Sequence, residues 1–154
     1  MRLQVQVAAI LVTTALVACA SAQTQPTKEM ALAIKAQDSS LQWGPCPPIL
    51  PGDCHIAVLH GDPSQPNADV FLRVGGGYVI ANHSHTSAER MILVTGRLQV
   101  DYQGAPATTL SPGQYAYGPA KLGHGGKCLS SEPCTLFIAF EGPVDAVPFT
   151  GVLD

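Results

Sequence analysis

The segment "GYVIANHSHTSAERMILVTG" (residues 77–96) places two histidines and an acid close together near the middle of the chain. His83 and His85 are two residues apart, so on an extended strand both side chains point to the same face. Glu89 follows a short turn and begins a strand on which apolar residues share its face. A carboxylate among apolar side chains is costly to bury unless a cation or a hydrogen-bond donor meets it. We therefore predict that His83, His85 and Glu89 bind a divalent metal ion.

The composition around this segment favours a β-rich fold. The chain has 154 residues, of which 46% are hydrophobic and 12% charged, with 15 glycines and 13 prolines. From Trp43 onward, short apolar segments alternate with turn formers, which predicts eight or nine strands in about 100 residues. Such strands are typical of a jelly roll or a small barrel, whose closure protects the sheet edges. We predict one all-β domain over residues 43–154, preceded by a polar linker over residues 23–42.

The overall charge gives no sign of a nucleic-acid partner. The formal net charge is −3, and no cluster of basic residues interrupts the sequence. Proteins that bind nucleic acid present a basic patch that neutralises phosphates. We therefore expect no nucleic acid among the partners.

The first 22 residues resemble an export signal. Arg2 supplies a positive start, Val5–Ala18 form an apolar stretch, and Ala20–Ala22 offer a small-residue cleavage site. The apolar stretch is shorter than the roughly 20 residues that a membrane-spanning helix needs. Residues 16–19 (Leu-Val-Ala-Cys) also resemble a bacterial lipobox, in which Cys19 would be lipidated. The two alternatives are a free periplasmic or secreted protein and one that a lipid at Cys19 tethers to the membrane.

Four cysteines remain after the signal, which is an even number in an oxidising compartment. Three pairings are open. We favour Cys46 with Cys54 and Cys128 with Cys134, because each pair brackets a short loop containing proline. The competing hypothesis, a zinc site of four thiolates, would need closer cysteine spacing than either pair has.

Two motifs with fixed spacing carry a family resemblance. Residues 77–96 follow the pattern G-x5-H-x-H-x3-E-x6-G. Downstream, the chain has G-x5-P-x-K-x2-H-x3-C from Gly113 to Cys128. The first pattern resembles the first motif of the cupin superfamily without a departure. The second resembles the second cupin motif, with Lys121 in place of a glycine and Cys128 in place of an asparagine.

The resemblance is to small single-domain bacterial cupins, which also include the anti-sigma-factor cupin domain. It implies a double-stranded β-helix, or jelly-roll barrel, with a metal ion inside. Carried over by position, the implied metal ligands are His83, His85, Glu89 and His124. Cupins commonly dimerise through sheet faces, so the resemblance also implies a homodimer.

Three imidazoles and one carboxylate around a six-coordinate ion would leave two positions for water or substrate, which is typical of a catalytic site. The ligand set suits iron, manganese, nickel, copper or zinc, and it does not choose among them. Our leading hypothesis is an exported metal-dependent enzyme of the oxygenase or oxidoreductase type, such as a dioxygenase, acting on a small organic molecule. The alternative is a cupin that binds or senses a metal or small ligand without turnover.

Other side chains near the motifs are expected to line the site, pack in the core or lie at the surface. We expect an apolar wall beside the metal, formed by Val79, Ala81, Met91 and Leu93. We expect Tyr115 and Tyr117 to pack in the core, and Arg73, Arg90 and Arg97 to be solvated at the surface. Disulfide state at Cys128 could alter the position of His124, although an ordinary structural disulfide is the favoured interpretation.

Overall fold

The computed structural model describes residues 29–153, and in that range it contains two antiparallel β-sheets and no helix. The strands are β1 (Gly44–Pro45), β2 (Cys54–His60), β3 (Asp69–Val74), β4 (Val79–Ser84), β5 (Glu89–Thr95), β6 (Leu98–Tyr102), β7 (Thr108–Leu110), β8 (Tyr115–Gly118), β9 (His124–Cys128), β10 (Cys134–Phe140) and β11 (Val147–Pro148). The two-residue strands β1 and β11 lie at sheet edges, and the other nine are those expected from the sequence. The all-β prediction is confirmed.

The amino-terminal predictions fall largely outside this range. The expected export signal over residues 1–22, with Cys19, lies outside the described residues. The described part of the expected linker, from residue 29 to residue 42, forms only turns and irregular backbone. A compact unit begins at Ala33, ten residues before the expected domain start at Trp43. Over residues 29–153, no helix is long and apolar enough to span a membrane.

The strands form two sheets with the crossover order of a jelly roll. One sheet has six strands in the order β1-β2-β3-β10-β5-β8, and the other has five in the order β11-β4-β9-β6-β7. Consecutive strands of the chain therefore often lie in different sheets. The first motif begins on β4 in the five-stranded sheet and continues on β5 in the six-stranded sheet, so its residues lie on both walls of the barrel. This arrangement confirms the double-stranded β-helix.

The core lies between the inner faces of the two sheets. Its buried side chains include Val70, Leu93, Leu136 and Ile138 from the six-stranded sheet and Ile80, Leu98, Val100 and Cys128 from the five-stranded sheet. Apolar burial of this kind contributes roughly 25 cal/mol per Å² and is the main favourable term in folding. The alternation along β5, buried at Glu89, Met91 and Leu93 and exposed at Arg90, matches the expected strand period.

A bulge in β4 changes which residues share a face with His83. Ile80 pairs with Gly126 and His83 with His124, so three steps along β4 are opposed by two along β9. The extra residue changes the face of the sheet to which the following side chains point. As a result Ile80 points inward with His83, whereas Val79 is 64% exposed and Ala81 is also exposed. The expectation that Val79 and Ala81 line the site is wrong.

The outer face of the six-stranded sheet carries the two tyrosines of β8. Tyr115 is 56% exposed and Tyr117 is 46% exposed, so the expected core packing of both is wrong. Tyr117 pairs across the sheet with Arg90, whose guanidinium carbon lies 5.7 Å from the Tyr117 ring centroid. Arg90 also forms an ion pair with Glu141 at the surface, as its outward position predicts.

Both disulfides have the pairing that the sequence favours. Cys46 is bonded to Cys54, and Cys128 is bonded to Cys134. The second bond lies at the end of β9 opposite to His124, and the four steps of strand from His124 to Cys128 span roughly 13 Å. This separation favours a structural role for the bond over control of His124.

Lys121 keeps the backbone conformation of the glycine that it replaces. Its φ is +65°, in the left-handed region that costs a side-chain-bearing residue about 1–2 kcal/mol. Its N–H donates to the carbonyl of His85 at 2.8 Å, which ties the turn before β9 to the end of the first motif. The strained turn therefore positions one motif against the other.

We predict that Lys121→Gly stabilises the protein by about 0.5–1 kcal/mol, because relief of the left-handed strain exceeds the added flexibility of the unfolded chain. Urea unfolding measures the change. Lys121→Ala, which removes the amine and keeps the strain, is the control and should be near neutral. A glycine variant that is no more stable than the alanine variant would contradict the prediction.

We predict that the double variant Cys128→Ala/Cys134→Ala loses about 2–3 kcal/mol of unfolding free energy, because the closed loop no longer restricts the unfolded chain. Its affinity for divalent metal should equal that of the unmodified protein. Isothermal titration with a divalent ion below the unfolding temperature checks this. A large loss of affinity would instead support control of His124 by the disulfide.

Candidate metal centre

Four side chains from both sheets meet inside the barrel. His83 on β4 pairs directly with His124 on β9 in the five-stranded sheet. His85 follows the end of β4, and Glu89 is the first residue of β5 in the six-stranded sheet. All four are buried, with 2% of Glu89 exposed. The structure thus brings together every residue that the sequence nominated as a ligand.

The imidazoles surround the carboxylate closely. One ligand-capable nitrogen from each of His83, His85 and His124 lies within 4.8 Å of the other two. Glu89 Oε2 is 3.3 Å from His85 Nε2, and Glu89 Oε1 is 3.2 Å from His124 Nε2. The residues therefore present three nitrogens and a carboxylate to one small volume.

Backbone carbonyls orient all three rings. His83 Nδ1 lies 2.7 Å from the carbonyl oxygen of Ala81, and His124 Nδ1 lies 3.0 Å from that of Leu122. His85 Nδ1 meets the carbonyl oxygen of Asp145. A carbonyl can only accept, so each Nδ1 carries a proton and donates it, and in the neutral form of each ring Nε2 has the lone pair. This is the second layer of hydrogen bonds typical of histidines that bind metal.

The donor set fits a divalent cation. The lone pair of His124 Nε2 faces Glu89 Oε1, and this oxygen has no hydrogen-bond partner among the described residues. Two acceptors that face each other in a buried place repel, and a buried carboxylate oxygen without a donor is costly. A cation between the imidazoles and the carboxylate would remove both penalties. Three histidines with one carboxylate suit several first-row metals.

Burial and the neighbouring charges shift the pKa values of all four side chains in the cluster. Burial, with the charge of His124, lowers the pKa of His83 to about 4, and burial also lowers the pKa of His124. Burial disfavours the charged form of His85, but the hydrogen bond and charge of Glu89 outweigh it and raise the pKa of His85. Burial likewise opposes ionisation of Glu89, yet His85 and the other histidines outweigh it and lower its pKa. His83 and His124 are thus neutral at neutral pH, which is the form in which an imidazole can bind a metal.

Neighbouring residues that the sequence did not nominate shape this cluster. A Cβ at Gly118 would lie 2.8 Å from Glu89 Oε1, so only glycine allows β8 to pass this close. Phe140 packs its ring at 5.1 Å from that of His85, and the Tyr102 ring lies 5.5 Å from that of His124. A glycine inside a strand signals a close approach of backbone, which was the available clue to Gly118.

The cluster lies at the wall of a cavity of about 60 Å³. Its other walls are mostly aliphatic, from Leu50, Ile56, Val70, Leu72, Ile80, Met91, Leu98, Val100, Leu136 and Ile138. Met91 contributes as expected, whereas Leu93 belongs to the buried core and not to the cavity lining. Asp145, from the loop after β10, also lines the cavity. The local sequence does not predict this position, because the loop reaches the site only in the folded chain.

Comparisons with known proteins agree with this architecture. A family model described as the ChrR cupin-like domain matches residues 32–145. A structure of the DMSP lyases RdDddP and RnDddQII aligns with a TM-score of 0.62 and 22% identity, over 71% of this chain and 63% of that chain. An RmlC-like cupin from Shewanella frigidimarina aligns with a TM-score of 0.57 and 18% identity, over 68% of this chain and 86% of that chain.

An oxalate oxidase structure also aligns, with a TM-score of 0.54 and 13% identity, over 64% of this chain and 56% of that chain. The chain therefore spans less than two thirds of the length of the DMSP lyase chain and of the oxalate oxidase chain. At these identities the similarity shows the fold alone. No curated protein matches the chain by sequence.

We predict that Gly118→Ala lowers the affinity for divalent metal about ten- to a hundredfold, because the new methyl group displaces the Glu89 carboxylate. Titration of the purified protein with Co²⁺ measures the change. Gly44→Ala is the control, since a Cβ there meets no atom closer than 4.0 Å. Equal affinities in the two variants would show that the position of Glu89 does not limit metal binding.

Proposed function

Because the chain belongs to the ChrR cupin-like domain family, we propose that it is a metal-dependent enzyme that acts on a small organic molecule, with chemistry of the oxygenase or oxidoreductase type. The metal site would be formed by His83, His85, Glu89 and His124. A dioxygenase is the reaction class that we favour within this proposal.

One observation carries the proposal. Three imidazoles, each with Nδ1 committed to a backbone carbonyl, direct their remaining nitrogens toward a buried carboxylate at the wall of an apolar cavity. A structural metal site is normally closed by protein ligands, whereas this cluster adjoins a space that a ligand can enter. The arrangement therefore favours an ion that contacts a substrate.

The residues of this chain would contribute binding, orientation and exclusion of water. A bound divalent ion would supply Lewis-acid chemistry and, for iron, manganese, copper or nickel, electron transfer. The carbonyls of Ala81, Leu122 and Asp145 hold the imidazole rings in the ligand tautomer. The aliphatic walls exclude water and strengthen electrostatic interactions with whatever is bound.

The structural neighbours support small-molecule chemistry without identifying it. Their names include DMSP lyases and an oxalate oxidase, which use different reactions on the same fold. Fold alone does not select a reaction. The ligand set likewise accepts iron, manganese, nickel, copper or zinc.

A second candidate function is a cupin that binds or senses a metal or small ligand without turnover. The size of the cavity favours this alternative, since about 60 Å³ admits only a small ligand. The two functions are distinguished by measuring oxygen consumption by the metal-loaded protein in the presence of small organic substrates. Consumption supports the enzyme, and its absence with every substrate supports the binding protein.

The proposal also includes a location outside the cytoplasm. Two disulfides suggest an oxidising compartment. We propose export to the periplasm or the medium through residues 1–22, with tethering by a lipid at Cys19 as the alternative to a free protein. Homodimer formation through a sheet face belongs to the same proposal.

We predict that the mature protein, purified from its native compartment, contains close to one divalent metal ion per chain and that His83→Ala loses it, because a ligand is removed. Elemental analysis measures both. His55→Ala, on the outward side of β2, is the control and should keep the metal. Absence of metal in the unmodified protein, also after loading with Fe²⁺, Mn²⁺ or Zn²⁺, would contradict the proposed function.

A further inference from the structure

The strand register places apolar side chains directly beneath the proposed metal ligands on the six-stranded sheet. Phe140 of β10 pairs with Glu89 of β5. Two residues earlier on β10, Ile138 pairs with Met91 of β5 on one side and with Val70 of β3 on the other. Two residues of a strand span roughly 7 Å, so these three side chains lie about that distance along the barrel from Glu89.

The five-stranded sheet continues this layer on the opposite wall. Gly126 lies two residues along β9 from His124, and it pairs with Val100 of β6 and with Ile80 of β4. Both neighbours therefore lie one layer deeper than the proposed ligands. Five side chains that line the cavity, each at most 7% exposed, form what we call the apolar ring: Val70, Ile80, Met91, Val100 and Ile138.

The cavity has almost no polar side chain besides the proposed ligands. Asp145 is the exception among the described lining residues, and its Oδ1 accepts a hydrogen bond from the N–H of Thr86. This bond lies on the Nδ1 side of the His85 ring, away from the proposed metal. Within residues 29–153, no lysine, arginine, serine, threonine, asparagine or glutamine lines the cavity. A polar group of a ligand would find a partner at the metal, but no side chain of the apolar ring could bond to it.

We infer that the cavity selects a ligand with a single polar group, which binds the metal ion, and an aliphatic body, which contacts the apolar ring. This inference rests on the proposed metal site. A second polar group in the body, even an uncharged hydroxyl, would lose its hydrogen bonds to water and gain none from the ring, which is costly. An aliphatic body would leave water for an apolar surface, which is favourable. The cavity therefore favours small aliphatic molecules over hydroxylated ones as the substrate class of the proposed enzyme.

The size of the cavity sets the size of this ligand. A water-sized group occupies roughly 10–15 Å³ by the measure that gives about 60 Å³ here. The cavity therefore accommodates roughly four to six non-hydrogen atoms, and butanoate lies at the upper end of this range.

The test uses the Co²⁺-loaded protein and follows its visible spectrum while butanoate or 3-hydroxypropanoate is added. The two anions have the same charge and the same number of non-hydrogen atoms, because a hydroxyl in one replaces the terminal methyl of the other. We expect butanoate to bind at least about tenfold more tightly, since the buried hydroxyl has no hydrogen-bond partner. Equal affinities, or no spectral change with butanoate, would overturn the inference.

A variant of the apolar ring tests whether its polarity controls the selection. Val70→Thr keeps the shape of the side chain and adds one hydroxyl to the wall. We expect the preference for butanoate to fall by at least about threefold, because the wall then offers a hydrogen-bond partner. Val79→Thr makes the same change on a side chain that is 64% exposed, and it should leave the preference within about twofold. An equal preference in the two variants would show that the ring does not control the selection.

The outcomes separate this inference from the proposed function. Failure of the protein to bind Co²⁺ would overturn the metal site and the ligand selection together. Binding of Co²⁺ with equal affinities for the two anions would overturn the ligand selection alone. If Val70→Thr does not fold, the comparison of the two anions on the unmodified protein still decides between these outcomes.

Discussion

The site depends on one buried charge, the carboxylate of Glu89. It is 2% exposed, and its oxygens lie 3.2–3.3 Å from imidazole nitrogens of His124 and His85. A carboxylate at this depth is stable only with positive charge beside it, and the protein supplies imidazoles whose outer nitrogens are already committed to carbonyls. The geometry is thus prepared for a cation at the centre and is poorly satisfied without one.

The surrounding fold is adapted to this constraint at some cost in stability. β4 carries a bulge that turns His83 inward, and Lys121 adopts a left-handed conformation in the turn before His124. β8 passes so close to Glu89 that position 118 has no room for a side chain. These three irregular or tightly packed elements each contact or carry one of the proposed ligands, as is common where function and folding stability conflict.

The chemistry available at the site follows from what lines it. The walls are aliphatic, and the one further ionisable side chain among the described lining residues is Asp145. A bound ion would therefore supply most of the reactivity and most of the ligand affinity, while the protein would set which molecules can reach it. Such a site suits an enzyme in which the metal performs the chemistry, and it also suits a protein that only binds a ligand. Turnover of a substrate is the property that distinguishes the two functions.

The sequence alone determined the features that depend on short spacing. The two-residue period of a strand placed His83 and His85 on one face, the turn after them led to Glu89, and short loops paired the cysteines. His124 came only from the resemblance to cupins, because its pairing with His83 joins strands 41 residues apart in the chain. The tertiary structure alone decided the β4 bulge, the outward tyrosines of β8, the approach of Gly118 to Glu89 and the arrival of Asp145 at the cavity. These features arise from contacts between distant segments, which local periodicity and propensity do not encode.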